Sequence, residues 1–225
     1  MTEAFLRNVS LFRGLSGEEI EAVAKNTTSR QFGRGSTIIL AEQQGDAFFI
    51  IQKGRVKVSV SREGGREVIL SLLGVGQVFG ELSLLDGKPR SADVTATETT
   101  ELIMLKRPDF LRLITEKPSI VIGLLTELAS RLRKVDYKIA GLALHDVTNR
   151  VSKTLLHLAS EGGEQQEQGV LLKNRPTHQQ LAQMSGTTRE TVTRVLRQLE
   201  EQGYIECAGR NIVILSDATI APDEA

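Results

Sequence analysis

PTHQQLAQMSGTTRETVTRVLRQLEEQG, residues 176–203, contains two helix signals joined by a tight turn. The Thr-x-x-Gln pattern of Thr177 and Gln180 is a capping box, which predicts that the first helix begins there. We expect this helix to end at Gly186, because a C-terminal turn with positive φ favours glycine. A second helix follows at once and stops before Gly203. Two short helices connected in this way predict a helix-turn-helix unit.

The second of these helices has an apolar face and a polar face. Helical spacing places four apolar side chains on the face that we expect to be buried: Val192, Val195, Leu196 and Leu199. The polar face carries Arg189, Glu190, Thr193, Arg194 and Arg197. The second helix of such a unit enters the major groove of DNA with its N-terminal residues at the base edges. The chain is therefore predicted to bind double-stranded DNA.

The polar side chains have a chemistry that suits base reading. An arginine donates two hydrogen bonds to guanine O6 and N7, and a glutamate accepts one from cytosine N4. We predict that Arg189 and Glu190 read bases. We expect Arg194 and Arg197 to read another guanine or to bind phosphate.

Two less specific interpretations of this face stay open. Glu190 can form a capping box with Thr187, and the arginines can lie on a solvated face. The segment IECAGRNIVIL (205–215), with a turn near Gly209, predicts a short hairpin that resembles a wing, and a wing favours DNA binding. The full predicted DNA-contacting set is Thr177, Thr188, Arg189, Glu190, Thr193, Arg194 and Arg197.

Upstream, residues 30–106 read as short apolar runs separated by glycines. These runs are STIIL (36–40), AFFIIQ (47–52), RVKVSV (55–60), REVILSLL (66–73) and ELIML (101–105). Many short strands with turn signals predict an antiparallel roll or sandwich. Gly64 and Gly65 predict a hairpin between the third and fourth runs, because a tight primed turn needs positive φ. Ahead of the strands, Ser16 and Glu19 form a capping box that predicts a helix start.

A long helix is predicted between the two regions. Apolar residues recur there at alternating steps of 4 and 3: Val121, Leu125, Leu128, Leu132, Val135, Ile139 and Leu142. Three heptads of this kind are typical of a helix that pairs with another helix. We predict pairing with the same helix of a second subunit, and so a homodimer. The alternative is a helix that buries this stripe against its own domain.

The predicted fold is of the α+β class, with four segments. They are an effector-binding β-roll (1–117), a dimerisation helix with a hinge (118–145), a winged helix-turn-helix (146–217) and a flexible tail (218–225). Asp146 is the predicted N-cap of the first helix of the third segment. The polar stretch EGGEQQEQG (161–169) is predicted to be a loop.

Composition excludes several classes of protein. Charged residues make up 25% and apolar residues 40% of the chain, as in folded soluble proteins. The N-terminus lacks a secretory signal pattern and no apolar run reaches the roughly 18 residues of a membrane span, so we expect a cytoplasmic protein. The single cysteine, Cys207, cannot assemble a zinc or iron–sulfur centre, and we expect no metal. With eight basic and nine acidic side chains in residues 146–217, DNA contact requires a local patch.

Three segments resemble the cAMP receptor protein/FNR (CRP/FNR) family of bacterial transcription regulators. TTRETVTRVLRQLEEQGYIE (187–206) resembles the family's recognition helix, and HDVTNRVSKTLLHLA (145–159) resembles the first helix of its DNA-binding domain. FGELSLLDGKPRSADVTA (79–96) resembles its phosphate-binding cassette for cyclic nucleotides. The resemblance implies palindromic DNA with TGTGA-like half-sites, an allosteric cyclic nucleotide with cAMP as the expected ligand, and contact with RNA polymerase.

The cassette also suits an anionic ligand on physical grounds. Gly80 allows close backbone approach, and the turn after it can aim N–H groups at an anion. Arg90 can pair with a phosphate through its fork, and Ser91 can add a hydrogen bond. The alternative for Arg90 alone is a surface arginine. By resemblance, Glu81 would hold the ribose 2′-OH, with Ser71 near the same pocket. The predicted effector set is Ser71, Gly80, Glu81, Leu82, Arg90, Ser91, Ala92, Val135 and Asp136.

The base-recognition positions depart from the family pattern. Members that respond to cAMP present a Thr-Ser pair from the long helix to the adenine, whereas this chain has Val135 and Asp136 there. Val135 cannot hydrogen-bond a base, while Asp136 can accept from adenine N6, accept from guanine N1 and N2, or stay in solvent. A regulator that is ligand-independent or tuned to another effector is therefore the alternative. An enzyme acting on nucleotides would need clustered catalytic groups in the roll, and the sequence offers none.

Overall fold

A computed structural model describes residues 2–61, 67–144 and 146–215, without the side chains of 137, 138 and 140–144. The chain divides into two compact units, Met1–Lys134 and Val135–Ala225. The predicted hairpin glycines Gly64 and Gly65 lie outside the described residues, as do His145 and the predicted tail at 218–225. The four-segment division of the chain stays a prediction.

The first unit is an antiparallel β-roll with small helices around it. Its helices are α1 (Thr2–Leu6), a 3₁₀ turn (Ser10–Phe12), α2 (Gly17–Lys25), α3 (Leu82–Asp86) and α4 (Arg107–Glu116). Its strands are β1 (Thr27–Phe32), β2 (Thr37–Ile39), β3 (Ala47–Lys53), β4 (Val56–Ser61), β5 (Glu67–Leu73), β6 (Val78–Phe79), β7 (Asp93–Ala96) and β8 (Thr100–Lys106). One sheet has the order β1-β8-β3-β6 and the other β2-β7-β4-β5. The predicted fold class is confirmed.

Local sequence explains where these elements begin. At α2, Ser16 Oγ accepts from the Glu19 backbone N–H, and the Glu19 carboxylate accepts from the Ser16 N–H, so the predicted capping box is present. Five apolar runs gave the strands β2, β3, β4, β5 and β8. The strands β1, β6 and β7 carried no such run, because β1 is a polar edge strand, β6 has two residues, and β7 alternates polar with apolar residues over only four positions.

The long helix α5 runs from Pro118 to Leu144. Ile120 and Leu124 are buried in the core of the roll, and Leu128 packs against that core. Other positions of the predicted heptad stripe remain open: Leu125 is 59%, Leu132 61%, Val135 49% and Ile139 60% exposed. The start of the helix therefore does bury apolar side chains against its own domain. The remaining stripe has no covering partner among the described residues, and the side chain of Leu142 lies outside them.

The second unit is a winged helix-turn-helix. Its elements are α6 (Val147–Gly162), β9 (Glu164–Gln166), β10 (Gly169–Leu172), α7 (His178–Ser185), α8 (Arg189–Glu201), β11 (Ile205–Ala208) and β12 (Asn211–Leu215). Asp146 caps α6 by accepting from the Asn149 N–H at 2.8 Å. The strands form one sheet in the order β11-β12-β10-β9. The predicted hairpin turns at Gly209, which has a φ of +60°.

The predicted loop at 161–169 is wrong. Helix α6 continues through Gly162, and β9 then pairs antiparallel with β10. All three side chains of β9 are polar and exposed, so its sequence lacks the alternation of apolar and polar residues that indicates a strand. Backbone pairing with β10 alone defines this edge strand. In the described part of the chain, no helix combines the length and apolarity that a membrane crossing needs.

Candidate functional site

The turn between β6 and α3 is built around Gly80. This glycine has a φ of +85°, and a Cβ there would lie 2.8 Å from Arg90 Nη1 and 3.1 Å from the Ala47 carbonyl oxygen. Both features exclude larger residues. The close approach that Gly80 permits is thus to the chain's own Arg90 and to strand β3.

Arg90 is buried beneath this turn, with 6% of its surface exposed. Its Nη1 donates to the Gly80 carbonyl at 2.6 Å and to Ser83 Oγ at 2.9 Å, and its Nη2 donates to the Ala47 carbonyl at 2.7 Å. The surface-arginine alternative is therefore wrong. A guanidinium has five N–H donors, so these three bonds leave two for another acceptor.

The charge of Arg90 is not matched by a direct ion pair within the residues that the structure describes. Its bonded oxygens all belong to neutral groups, and burial lowers the pKa of Arg90 from its ordinary value. A buried cation of this kind is stabilised by a bound anion. Of the predicted residues, Gly80 and Arg90 are brought together here, and Ser83 joins them although sequence reasoning did not select it.

Glu81 is buried beside this cluster, with 2% of its surface exposed. Its Oε1 accepts from Arg131 Nη1 at 2.7 Å, whereas its Oε2 is fully buried and has no hydrogen-bond partner in the described structure. Burial raises the pKa of the Glu81 carboxyl, and the charge of Arg131 acts in the opposite direction. A hydroxyl donor at Oε2 would satisfy the unpaired atom.

Arg131 comes from α5 and was missed by sequence reasoning. Besides Glu81, it contacts Glu127 Oε1 at 3.0 Å and the carbonyl oxygen of Val78. These contacts tie α5 to the end of β6 and to the cassette turn. The pair Arg131 and Glu81 is 50 positions apart, and neither position alone carries a pattern that would have joined them.

The other predicted effector residues, apart from Ala92, lie at less enclosed positions. Ser71 is half-buried on β5 opposite Val58, and its hydroxyl makes no hydrogen bond to Glu81 or Arg90 within the described residues. Leu82 and Ser91 are exposed and Ala92 is buried. Val135 and Asp136 are exposed on the part of α5 that belongs to the second unit. Their assignment to the effector site stays a prediction.

Gly45 is a further residue that sequence reasoning missed. A Cβ at this position would lie 2.2 Å from Ser83 Oγ and 2.8 Å from Arg90 Cζ. The backbone at Gly45 therefore packs directly on the cassette. The glycine is one of several between the strand signals, and only the structure distinguishes it from turn glycines.

In the second unit, α7 and α8 have the boundaries that the turn chemistry predicts. Thr177 caps α7 in a complete capping box with Gln180, and Gly186 ends the helix with a φ of +63°. Thr188 caps α8 by accepting from the Thr191 N–H at 3.3 Å. Because Thr188 is the N-cap, the alternative capping box between Glu190 and Thr187 is wrong.

Helix α8 separates its faces as the sequence predicts. Its apolar residues are buried: Val192, Val195, Leu196 and Leu199. The polar side chains are exposed: Arg189, Glu190, Thr193, Arg194 and Arg197. The helix N-terminus, through the backbone N–H of Glu190, and the Thr188 hydroxyl lower the pKa of Glu190. Arg197 pairs with Glu201 at 2.9 Å, at a solvated position. Within the described residues, no group of three or more His, Cys, Asp or Glu side chains is arranged to hold a metal.

Comparison with known families covers both units. The cyclic nucleotide-binding domain model matches residues 29–117, and the Crp-like helix-turn-helix domain model matches residues 149–219. The Cyclic AMP receptor protein of Thermus thermophilus is 38% identical over 200 residues, covering 89% of this chain and 89% of that protein. The chain belongs to the CRP/FNR family of transcription regulators.

One further relative of this CRP/FNR protein agrees with the family assignment, and one solved structure has a similar fold. The CRP-like cAMP-activated global transcriptional regulator of Mycobacterium tuberculosis is 32% identical over 219 residues, covering 97% of this chain and 98% of that one. The solved structure of CLP, named as the c-di-GMP responsive global regulator of Xanthomonas campestris, superposes with a TM-score of 0.77 at 24% identity. It covers 89% of this chain and 99% of CLP, and supports the fold.

Proposed function

We propose that this CRP/FNR regulator is a homodimer that binds palindromic DNA under the control of a cyclic nucleotide, with cAMP as the effector. The family membership gives a nucleotide-binding domain followed by a helix-turn-helix. The observation that carries the finer proposal is the unpaired Oε2 of buried Glu81, next to a buried Arg90 that lacks an anionic contact among the described residues.

A cyclic nucleotide fits these two groups in complementary ways. Its ribose 2′-OH can donate to Glu81 Oε2, and its cyclic phosphate can accept from the two remaining N–H groups of Arg90. The phosphate would also give the buried guanidinium a directly hydrogen-bonded anion, in place of the more distant charges of Asp46 and Glu81. Ser83 and the Ala47 carbonyl hold Arg90 in place for this contact.

The choice of cAMP rests on the names of the relatives from Thermus thermophilus and Mycobacterium tuberculosis. The alternative is the same DNA-binding regulator with another effector or with none. Val135 and Asp136 favour this alternative, because they replace the Thr-Ser pair that the family presents to adenine. CLP, which shares the fold, is itself named for a response to c-di-GMP.

Dimerisation is proposed through α5. Leu125 and Leu132 in the first unit, and Val135 and Ile139 in the second, expose apolar surface at heptad positions. Removing such surface from water contributes about 25 cal/mol per Å² of apolar area, part of which offsets the entropy that two chains lose on association. A second copy of α5 would cover these side chains in a parallel coiled coil.

The same helix offers a route from ligand to DNA. Arg131 on α5 holds Glu81, so a ribose hydroxyl that binds Glu81 changes the surroundings of Arg131. We propose that the ligand thereby orders α5 near Val135, and that a hinge at 141–146 sets the two α8 helices one DNA turn apart. Such coupling is typically about 1–3 kcal/mol.

One experiment tests the proposal as a whole. Calorimetric titration with cAMP, cGMP and c-di-GMP is combined with binding to a duplex that carries an inverted TGTGA repeat, with and without each nucleotide. We expect heat from cAMP and tighter DNA binding in its presence. If only another nucleotide releases heat, that nucleotide is the effector and cAMP is not. If none of the three releases heat at millimolar concentration, the proposed control by a nucleotide is wrong. Chromatography of the recovered nucleotide detects hydrolysis, which would instead indicate an enzyme.

Replacement of Gly45 by Ala is expected to weaken nucleotide binding roughly tenfold. The added methyl group would overlap Ser83 Oγ and press on Arg90, so the two side chains must move away from their present positions. Gly74 is the matched control, because it lies in the same unit and an added Cβ there meets no atom within 4 Å. Calorimetry compares the Kd of both variants for cAMP. Equal affinities in Gly45→Ala and Gly74→Ala would contradict the assigned position of the phosphate.

A further inference from the structure

A hydrogen-bonded chain of polar side chains connects α7 to α8 in the second unit. The Arg175 Nη2 lies 3.0 Å from His178 Nε2, and His178 Nδ1 lies 2.8 Å from Thr193 Oγ1. Thr193 Oγ1 in turn donates to the carbonyl oxygen of Arg189 at 3.0 Å. The chain therefore ends on the backbone of the residue that opens α8.

The donors and acceptors among Arg175, His178 and Thr193 allow only one placement of the hydrogen atoms. Arg175 has only N–H donors, so His178 Nε2 must accept. The imidazole is then neutral with its proton on Nδ1, which donates to Thr193 Oγ1. The Thr193 hydroxyl hydrogen is directed to the Arg189 carbonyl. A protonated His178 would have donors on both nitrogens and would lose the bond from Arg175.

The surroundings of the ring also oppose protonation. Arg175, Arg189 and Arg210 line a cavity of about 460 Å³ with His178, Thr177 and Gln179. No carboxylate lines this cavity in the part of the chain that the structure describes. Burial lowers the pKa of His178 from its ordinary value of 6.5, and the charges of Arg175 and Arg189 lower it further.

Arg175 is a firm anchor for the chain. Only 9% of its surface is exposed, and its Nη1 donates to the Pro176 carbonyl at 3.1 Å. Its backbone N–H donates to the Arg210 carbonyl at 2.9 Å, so the anchor also joins the β11–β12 turn. By contrast, Thr193 and Arg189 are exposed on α8.

We propose that His178 is a positioning residue for DNA reading: its neutral imidazole connects buried Arg175 to Thr193 and so fixes the first turn of α8, which carries Arg189. This inference rests on the proposed function, in which Arg189 reads a base. Acidification protonates His178, breaks its bond from Arg175 and lowers selectivity for the correct sequence. A direct phosphate contact by His178 would have the opposite sign, since protonation would then strengthen binding to any duplex.

Selectivity is measured as the ratio of Kd values of the full chain, with cAMP, for a scrambled duplex and for the inverted TGTGA duplex, by fluorescence anisotropy. We expect His178→Ala to lower this ratio roughly tenfold, since it removes the link in each half-site. His178→Gln is the conservative rescue, because an amide both accepts and donates. It should retain selectivity and remove the decline that the wild type shows as the pH falls below the ordinary histidine pKa of about 6.5.

His178→Arg separates positioning from phosphate binding. The positioning role predicts reduced selectivity, because arginine cannot accept from Arg175. Tighter binding to both duplexes with the wild-type ratio retained would overturn the inference in favour of a phosphate contact. Wild-type selectivity in His178→Ala would overturn it as well. If His178→Ala does not fold, the pH profiles of the wild type and His178→Gln decide, and parallel profiles count against the inference.

A double-mutant cycle locates the effect. Thr193→Val removes the hydroxyl, and the selectivity it costs should be smaller in the His178→Ala background than in the wild type, because its bond to His178 is already absent there. Strictly additive losses would overturn the inference. A wild type that does not distinguish the two duplexes at any pH would refute the proposed function itself, and this inference with it.

Discussion

Replacement of Arg90 by Gln is expected to lower the affinity for cAMP roughly hundredfold, because it removes two charge-assisted hydrogen bonds to the cyclic phosphate. The variant also removes donors from the Ala47 and Gly80 carbonyls, so the free energy of unfolding should fall by about 1–3 kcal/mol. Calorimetry measures the affinity and a thermal melt measures the stability. Arg34→Gln is the matched control, since Arg34 is exposed in the same unit.

A ligand variant keeps this prediction open to refutation if Arg90→Gln does not fold. The wild type should bind 2′-deoxy-cAMP about tenfold more weakly than cAMP, because Oε2 of Glu81 then loses its donor. In an isosteric Glu81→Gln variant, the difference in affinity between cAMP and 2′-deoxy-cAMP should be smaller, because the charged acceptor for the ribose hydroxyl is lost. If the wild type binds the two nucleotides equally well, the ribose does not contact Glu81. If a folded Arg90→Gln variant binds cAMP as tightly as the wild type, the phosphate does not contact Arg90.

Helix boundaries and the faces of α8 were predictable because the signals are local. A capping box spans four residues, and Thr177 with Gln180 both starts α7 and satisfies backbone donors that would otherwise be unpaired. The buried face of α8 follows from spacing alone. The edge strand β9 escaped prediction because its side chains contact solvent on both faces, and its place is set by the register with β10.

The candidate site was predictable only in part, for a different reason. The cassette is contiguous in sequence, so Gly80, Glu81 and Arg90 could be selected together. Its partners arrive from elsewhere: Gly45 precedes β3, and Arg131 lies on α5. Long-range contacts of this kind are set by tertiary packing.

The role of His178 could not be predicted from the sequence, for the same physical reason as that of Arg131. His178 follows the N-cap of α7, where a polar residue satisfies the ordinary demands of a helix start. Its role depends on Thr193, which is 15 positions away on another helix. The capping signal explains the helix start at Thr177, and it gives no indication that His178 also contacts α8.

Replacement of Arg189 by Ala is expected to abolish selective DNA binding. A bidentate arginine–guanine contact is worth about 1–3 kcal/mol of discrimination in each half-site, so a dimer on a palindrome would lose about 2–6 kcal/mol. The fold should be retained, because the Arg189 side chain is exposed and the bond from Thr193 to this residue is made to its backbone oxygen, which alanine keeps. Anisotropy with the inverted TGTGA duplex and a scrambled duplex measures the loss.

Arg197→Ala is the informative comparison for that variant. Arg197 lies two turns further along α8, where its side chain is 77% exposed and pairs with Glu201. If it contacts phosphate, its loss should weaken binding to both duplexes alike and reduce the slope of log Kd against log salt by about 1 per contact. Arg189→Ala should instead weaken binding to the TGTGA duplex selectively. If Arg189→Ala binds that duplex as tightly as the wild type, α8 does not read bases through its first turn, and the groove assignment fails even if nucleotide binding is intact.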